Sequence, residues 1–91
     1  MSVEGRRVVV TGATAGLGAH TVRLLAGRGA DVVAAGRRLE RLEALASDLA
    51  GAPGRVVPCR ADVTSEADAE RLVATAVEAL GGIDVLVNNA G

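Results

Sequence analysis

The chain has 91 residues, enough for one small folding unit, and 49% of them are hydrophobic although Phe, Tyr and Trp are absent. Its ten basic residues are all Arg, and against eleven acidic ones they leave a net charge of -1. This balance excludes a basic nucleic-acid-binding face, and the absence of Lys excludes Schiff-base chemistry and a P-loop lysine.

Apolar runs alternate with helical stretches along the chain, the pattern of repeated βαβ units around a parallel sheet. Arg7 to Thr11 (RVVVT) is a β-branched run and predicts a buried first strand. A Gly-rich loop from Gly12 to Gly18 then opens a helix that runs to about Arg28 and stops at Gly29. Asp31 to Ala35 (DVVAA) predicts the second strand. From Arg38 to Ala50, Leu39, Leu42, Leu45 and Leu49 recur at three-and-four spacing, as on the apolar face of an amphipathic helix.

Arg55 to Arg60 (RVVPCR) predicts a third strand, and Pro58 within it cannot donate to a ladder, which favours a sheet edge. Thr64 or Ser65 caps a third helix that runs to Leu80, with Glu66 and Asp68 near its positive end. Ile83 to Val87 (IDVLV) predicts a fourth strand, apolar enough to be buried by neighbours on both sides. Four parallel strands with right-handed crossovers lay out in the order 3-2-1-4, an α/β arrangement equal to the amino-terminal half of a Rossmann doubly wound sheet. Helices one and two are expected on one face and helix three on the other.

Cys59 has no partner for a disulfide, and His20 alone builds no metal site with it, so both read as structural or surface residues. No apolar run approaches the ~18 residues of a membrane span, and no signal-peptide pattern opens the chain. A cytoplasmic location is expected, with neither membrane nor nucleic acid as a partner.

The segment Thr11-Gly12-Ala13-Thr14-Ala15-Gly16-Leu17-Gly18 sits between a strand and a helix in the first βα turn. Glycines there permit a tight turn and close approach of a pyrophosphate, and the following helix offers free N–H groups and a positive dipole end. The spacing G-x-x-x-G-x-G departs from the G-x-G-x-x-G fingerprint, and Thr14 adds a hydroxyl. At the end of strand two, where an acid would hold a free ribose 2′-hydroxyl, Gly36, Arg37 and Arg38 stand instead. A guanidinium pairs with the 2′-phosphate of NADP, although these arginines also suit a solvated first helical turn.

With Asp62-Val63 after strand three and Asn88-Asn89-Ala90-Gly91 after strand four, the chain from residue 5 to 91 resembles the classical short-chain dehydrogenase/reductase family. Its Thr11-Gly12-x-x-x-Gly16-x-Gly18 loop, Asp-Val pair and NNAG motif appear in order, each after a strand. The resemblance implies that Gly12, Thr14, Ala15, Gly16, Leu17 and Gly18 form the pyrophosphate and ribose loop, and that Arg37 and Arg38 meet the 2′-phosphate. It places Asp62 and Val63 at the adenine, and Asn89, Ala90 and Gly91 near the adenosine ribose, with Asn88 tying the central strands together. Asp62 also fits a plain structural role, as a loop carboxylate capping helix three.

The implied cofactor is NADP, with NAD possible, and the implied reaction is hydride transfer between a carbonyl and an alcohol. In the family this chemistry uses a Ser and a Tyr-x-x-x-Lys pair after NNAG, and this chain has no Tyr and no Lys. Residues 1–91 are thus expected to be one partial NAD(P)-binding domain, without catalytic residues and inactive alone. A small substrate and homo-oligomer formation are expected only of a full-length form. The alternatives are a non-catalytic dinucleotide-binding module and the product of a truncated reading frame.

Overall fold

Seven elements follow in the order β1 (Arg7–Thr11), α1 (Gly16–Gly27), β2 (Asp31–Gly36), α2 (Leu39–Asp48), β3 (Val56–Arg60), α3 (Glu66–Leu80) and β4 (Val85–Asn88). The structure, a computed structural model, describes residues 2–89. All strand pairings are parallel and the sheet order is β3-β2-β1-β4, as the alternating pattern and Pro58 imply. Pro58 sits opposite Ala34 in the edge strand β3, where its missing N–H removes no bond from a second neighbour.

Alternate residues of the central strands feed two cores. On one face Val8, Val10, Val32 and Ala34 pack with Val22 of α1 and Leu42 and Leu45 of α2. On the other, Val9, Val33 and Ala35 pack with Leu72 and Ala76 of α3. Small β-branched side chains suit this arrangement because both sheet faces are covered and no aromatic ring has to fit between layers. No helix among the described residues is long and apolar enough to cross a membrane.

Several boundaries differ from the sequence reading. Helix α1 begins at Gly16, inside the stretch read as loop, with Ala15 as an extended N-cap residue. Helix α2 is shorter at both ends, with Arg38 and Leu49 as its caps, and Leu39 lies exposed rather than in the core. Both edge strands start later than expected for a shared reason, which is that an aspartate carboxylate takes a backbone N–H before the ladder begins. The N–H of Arg55 donates to Asp31 Oδ1 (2.9 Å), and the N–H of Arg7 donates to Asp84 Oδ2 (2.8 Å). Strand β4 is an edge with β1 as its partner, so Val85 and Leu86 are exposed despite their apolar character.

Candidate cofactor site

The carboxyl ends of β1, β2, β3 and β4 converge on one cleft of about 440 Å³. Gly12, Thr14 and Ala15 form one wall, Arg37 and Arg38 another, Asp62 and Val63 a third, and Asn89 closes the β4 side. The sequence-predicted residues thus come together across 77 positions of chain (89 minus 12). Gly36, Ala61 and Thr64 also line the cleft. Sequence reasoning places Gly36 at the end of strand two and Thr64 as a candidate cap of helix three, not in the cleft, and it does not single out Ala61. Ala90 and Gly91 lie outside the described residues.

Gly16, Leu17 and Gly18 belong to the first turn of α1 and do not line the cleft wall. Their contribution is made by the backbone. Gly12 has φ 62°, a left-handed conformation that turns the chain out of β1 and lets Ala15 N–H donate back to its carbonyl at 3.2 Å. Gly18 packs so closely beneath this turn that a Cβ on it would overlap the Gly12 carbonyl oxygen. A Cβ on Gly16 would meet only open space.

The three helix starts are not equivalent. Ser65 caps α3, its Oγ accepting from Asp68 N–H at 3.3 Å, with Glu66 and Asp68 in the first turn. Helix α2 has Glu40 in its first turn. Helix α1 has neither a side-chain cap nor an acid there, so its first N–H groups stay open to an anion at the glycine-rich turn.

The loop after β1 and the end of β4 are stitched together by Thr11. Its Oγ1 donates to Asn88 Oδ1 at 3.0 Å and accepts from Asn89 N–H at 3.1 Å. Asn88 thus ties the two strands while Asn89 reaches the cleft, the division of labour expected of the pair. Asp62 does not cap α3; its Oδ1 accepts from the Thr64 hydroxyl (2.6 Å) and the Thr64 N–H (3.0 Å). These bonds, joined by the positive charges of Arg37 and Arg60, hold its carboxyl below the usual range against a smaller opposing effect of burial.

A cleft at the carboxyl ends of parallel strands, beside an uncapped helix start, with two guanidinium groups and one ionised carboxylate, can take a ligand with phosphates and a hydrogen-bonding base. A sequence profile described as short chain dehydrogenase matches residues 6–91. The chain belongs to the short chain dehydrogenase family. A family member from Thermotoga maritima, a 3-oxoacyl-acyl-carrier-protein reductase, is 41% identical over 91 residues, covering 100% of this chain and 37% of its own length.

Two solved dehydrogenase structures superimpose closely. Hydroxysteroid dehydrogenase from Escherichia coli does so with a TM-score of 0.94 at 33% identity, over 99% of this chain and 38% of its own. A 7α-hydroxysteroid dehydrogenase in complex with NADH and 7-oxo glycochenodeoxycholic acid gives a TM-score of 0.95 at 33% identity, over 99% and 35%. The chain therefore spans little more than a third of the length of these three relatives.

Proposed function

We propose that residues 1–91 are a partial NAD(P)-binding domain, the dinucleotide-binding part of an NADP-preferring oxidoreductase that interconverts a carbonyl and an alcohol. The observation that carries this is the convergence of the Gly12 turn, Arg37, Asp62 and Asn89 on one cleft beside the uncapped start of α1. The related dehydrogenase complexed with NADH supports the ligand class. The preference for NADP rests on Arg37 and Arg38 in place of an acid at the end of β2.

In this reading the Gly12 turn and the open N–H groups of Gly16, Leu17 and Gly18 hold the pyrophosphate, with the Thr14 hydroxyl and Ala15 alongside. Arg37, helped by Arg38, pairs with the 2′-phosphate. Asp62 and Val63 receive the adenine, and Asn89, with Ala90 and Gly91, borders the adenosine ribose. A bound nicotinamide supplies or accepts the hydride. The chain has no Tyr and no Lys to pass the accompanying proton, so these 91 residues are expected to bind the dinucleotide without turning over substrate.

Titrating the purified chain with NADPH and NADH, followed by nicotinamide fluorescence, tests the reading. Tighter binding of NADPH is expected. Equal or tighter binding of NADH would overturn the NADP preference, and binding of neither would overturn the assignment of the cleft.

A further inference from the structure

The turn from Ala61 to Thr64 forms the β3 wall of the cleft and leads into α3. Two of its backbone bonds are to main-chain partners, Ala61 N–H to the Gly36 carbonyl at 2.8 Å and Ser65 N–H to the Asp62 carbonyl at 2.9 Å. The Asp62 N–H depends on a side chain instead, donating to Asp68 Oδ2 at 2.9 Å. Asp68 lies in the first turn of α3 and does not line the cleft.

Asp68 is itself aimed by two contacts. Its own N–H donates to Ser65 Oγ at 3.3 Å, and its Oδ1 meets Arg71 Nη2 at 3.2 Å. The same Nη2 donates to the Arg60 carbonyl at 2.9 Å. One carboxylate and one guanidinium of α3 therefore hold residues 62 and 60, on either side of Ala61. With the arginine side chain 55% exposed, the ion pair adds little stability. Its consequence is geometric, because it occupies Oδ1 and leaves Oδ2 turned to Asp62. A wall fixed before a ligand arrives needs no ordering at binding, whereas a loose wall must be ordered at that moment and lowers the affinity.

We infer that Asp68, aimed by Arg71, is a positioning residue of the cleft: it holds the turn after β3 in its binding shape and so raises dinucleotide affinity without touching the ligand. The inference rests on the reading of the cleft as a dinucleotide site.

The test combines titration of the 91-residue chain with NADPH and amide hydrogen exchange of Asp62 followed by NMR, for the wild type, Asp68→Ala, Asp68→Asn, Arg71→Met and Glu66→Gln. The last removes a first-turn acid of the same helix that makes no bond to the cleft wall. Thermal melts accompany each variant. In the wild type the Asp62 amide is expected to exchange slowly with or without NADPH. In Asp68→Ala it should exchange faster in the free chain and slow again when NADPH saturates the cleft, with affinity ~5-fold or more weaker. Asp68→Asn keeps an acceptor oxygen for the Asp62 N–H and should stay within ~2-fold of the wild type, as should Glu66→Gln.

A folded Asp68→Ala chain with wild-type affinity would overturn the inference. So would an equal loss in Glu66→Gln, which would trace the effect to charge at the helix start. If Asp68→Ala does not fold, Arg71→Met is expected to bind NADPH ~3-fold or more weakly, and wild-type affinity there would overturn the inference. A wild type that binds no dinucleotide overturns the cofactor reading together with the inference, whereas one that binds NADPH beside an unaltered Asp68→Ala overturns the inference alone.

Discussion

Arg7 and Asp84 meet across the start of the β1–β4 pairing in a two-pronged ion pair, Nη2 to Oδ1 at 3.0 Å and Nε to Oδ2 at 3.1 Å. The N–H of Arg7 adds a bond to Oδ2 at 2.8 Å, and its Nη1 reaches the Gly81 carbonyl at 3.2 Å. One arginine thus fixes the end of α3 and the beginning of β4 to the central strand. Its hydrogen bonds and charge hold the Asp84 carboxyl down at about 2.

Because that value lies below the ~3.9 of an unfolded aspartate, the pair contributes its full stability above about pH 4 and loses it as pH falls toward 2. Asp84→Asn should melt at a lower temperature near neutral pH, and its melting temperature should fall less steeply through this acid window than that of the wild type. Thermal melts across the window decide it. Parallel acid limbs in the two proteins would show that Asp84 carries no such linkage.

Gly16 and Gly18 offer a sharper contrast, since they are two residues apart in one helical turn and face different constraints. Gly16→Ala places its methyl in open space and is expected to leave the melting temperature unchanged or slightly raised, because Ala is the better helix former by ~1 kcal/mol. It should nevertheless weaken NADPH binding, because a Cβ beside the open N–H groups keeps the pyrophosphate away. Gly18→Ala forces the Gly12 carbonyl to move and should cost ~1–3 kcal/mol of stability as well as binding. Paired melts and titrations of the two variants separate the roles, and a destabilised Gly16→Ala would contradict the division.

How far this was legible from residues alone depends on what sets each boundary. The limits of β1 and the end of α3 are legible because the signals are local, a β-branched run ending at Gly12 and Gly81 closing the helix, whereas the sequence leaves the cap of α3 between Thr64 and Ser65 and the structure assigns it to Ser65. The sheet order followed from motif alternation and Pro58. The start of α1 was not legible, because glycine at three positions reads as loop, whereas here Gly18 is required by contact with Gly12 rather than by conformational freedom. The late starts of β3 and β4 depend on Asp31 and Asp84 finding N–H groups 24 and 77 residues away in sequence, which no local pattern encodes. The candidate site residues were legible as motifs, but the bond from Thr64 that orients Asp62 appears only in three dimensions.

Arg37 and Arg38 share a wall of the cleft yet are placed differently. Arg38 is the N-cap of α2, and its carbonyl accepts from Arg41 and Leu42 N–H groups, so its backbone is committed to the helix start. Arg37 precedes the helix, and its positive charge is felt by Asp62 across the cleft. Arg37→Ala is therefore expected to weaken NADPH binding by ~10-fold or more and to change NADH binding by less than ~2-fold, with a smaller NADPH effect for Arg38→Ala. Isothermal titration with both dinucleotides measures it. An equal loss for NADH and NADPH would place Arg37 elsewhere than at the 2′-phosphate.

The outer side of β4 joins an open strand edge to exposed apolar side chains. Leu86, opposite Val9 in the ladder, is 63% exposed, and together with Val73 it borders an apolar hollow of about 240 Å³ against α3. An unpaired strand edge joined to an apolar patch is a template for strand addition. Leu86→Lys puts a charge on both features at once and removes little buried area, so its effect on monomer stability should stay within ~0.5 kcal/mol. The variant is expected to remain monomeric at concentrations where the wild type associates, as read by sedimentation velocity over a dilution series. If association persists unchanged in Leu86→Lys and disappears in Val73→Lys, the α3 surface rather than the β4 edge drives it, because Val73, unlike Leu86, lies on the helix side of the hollow.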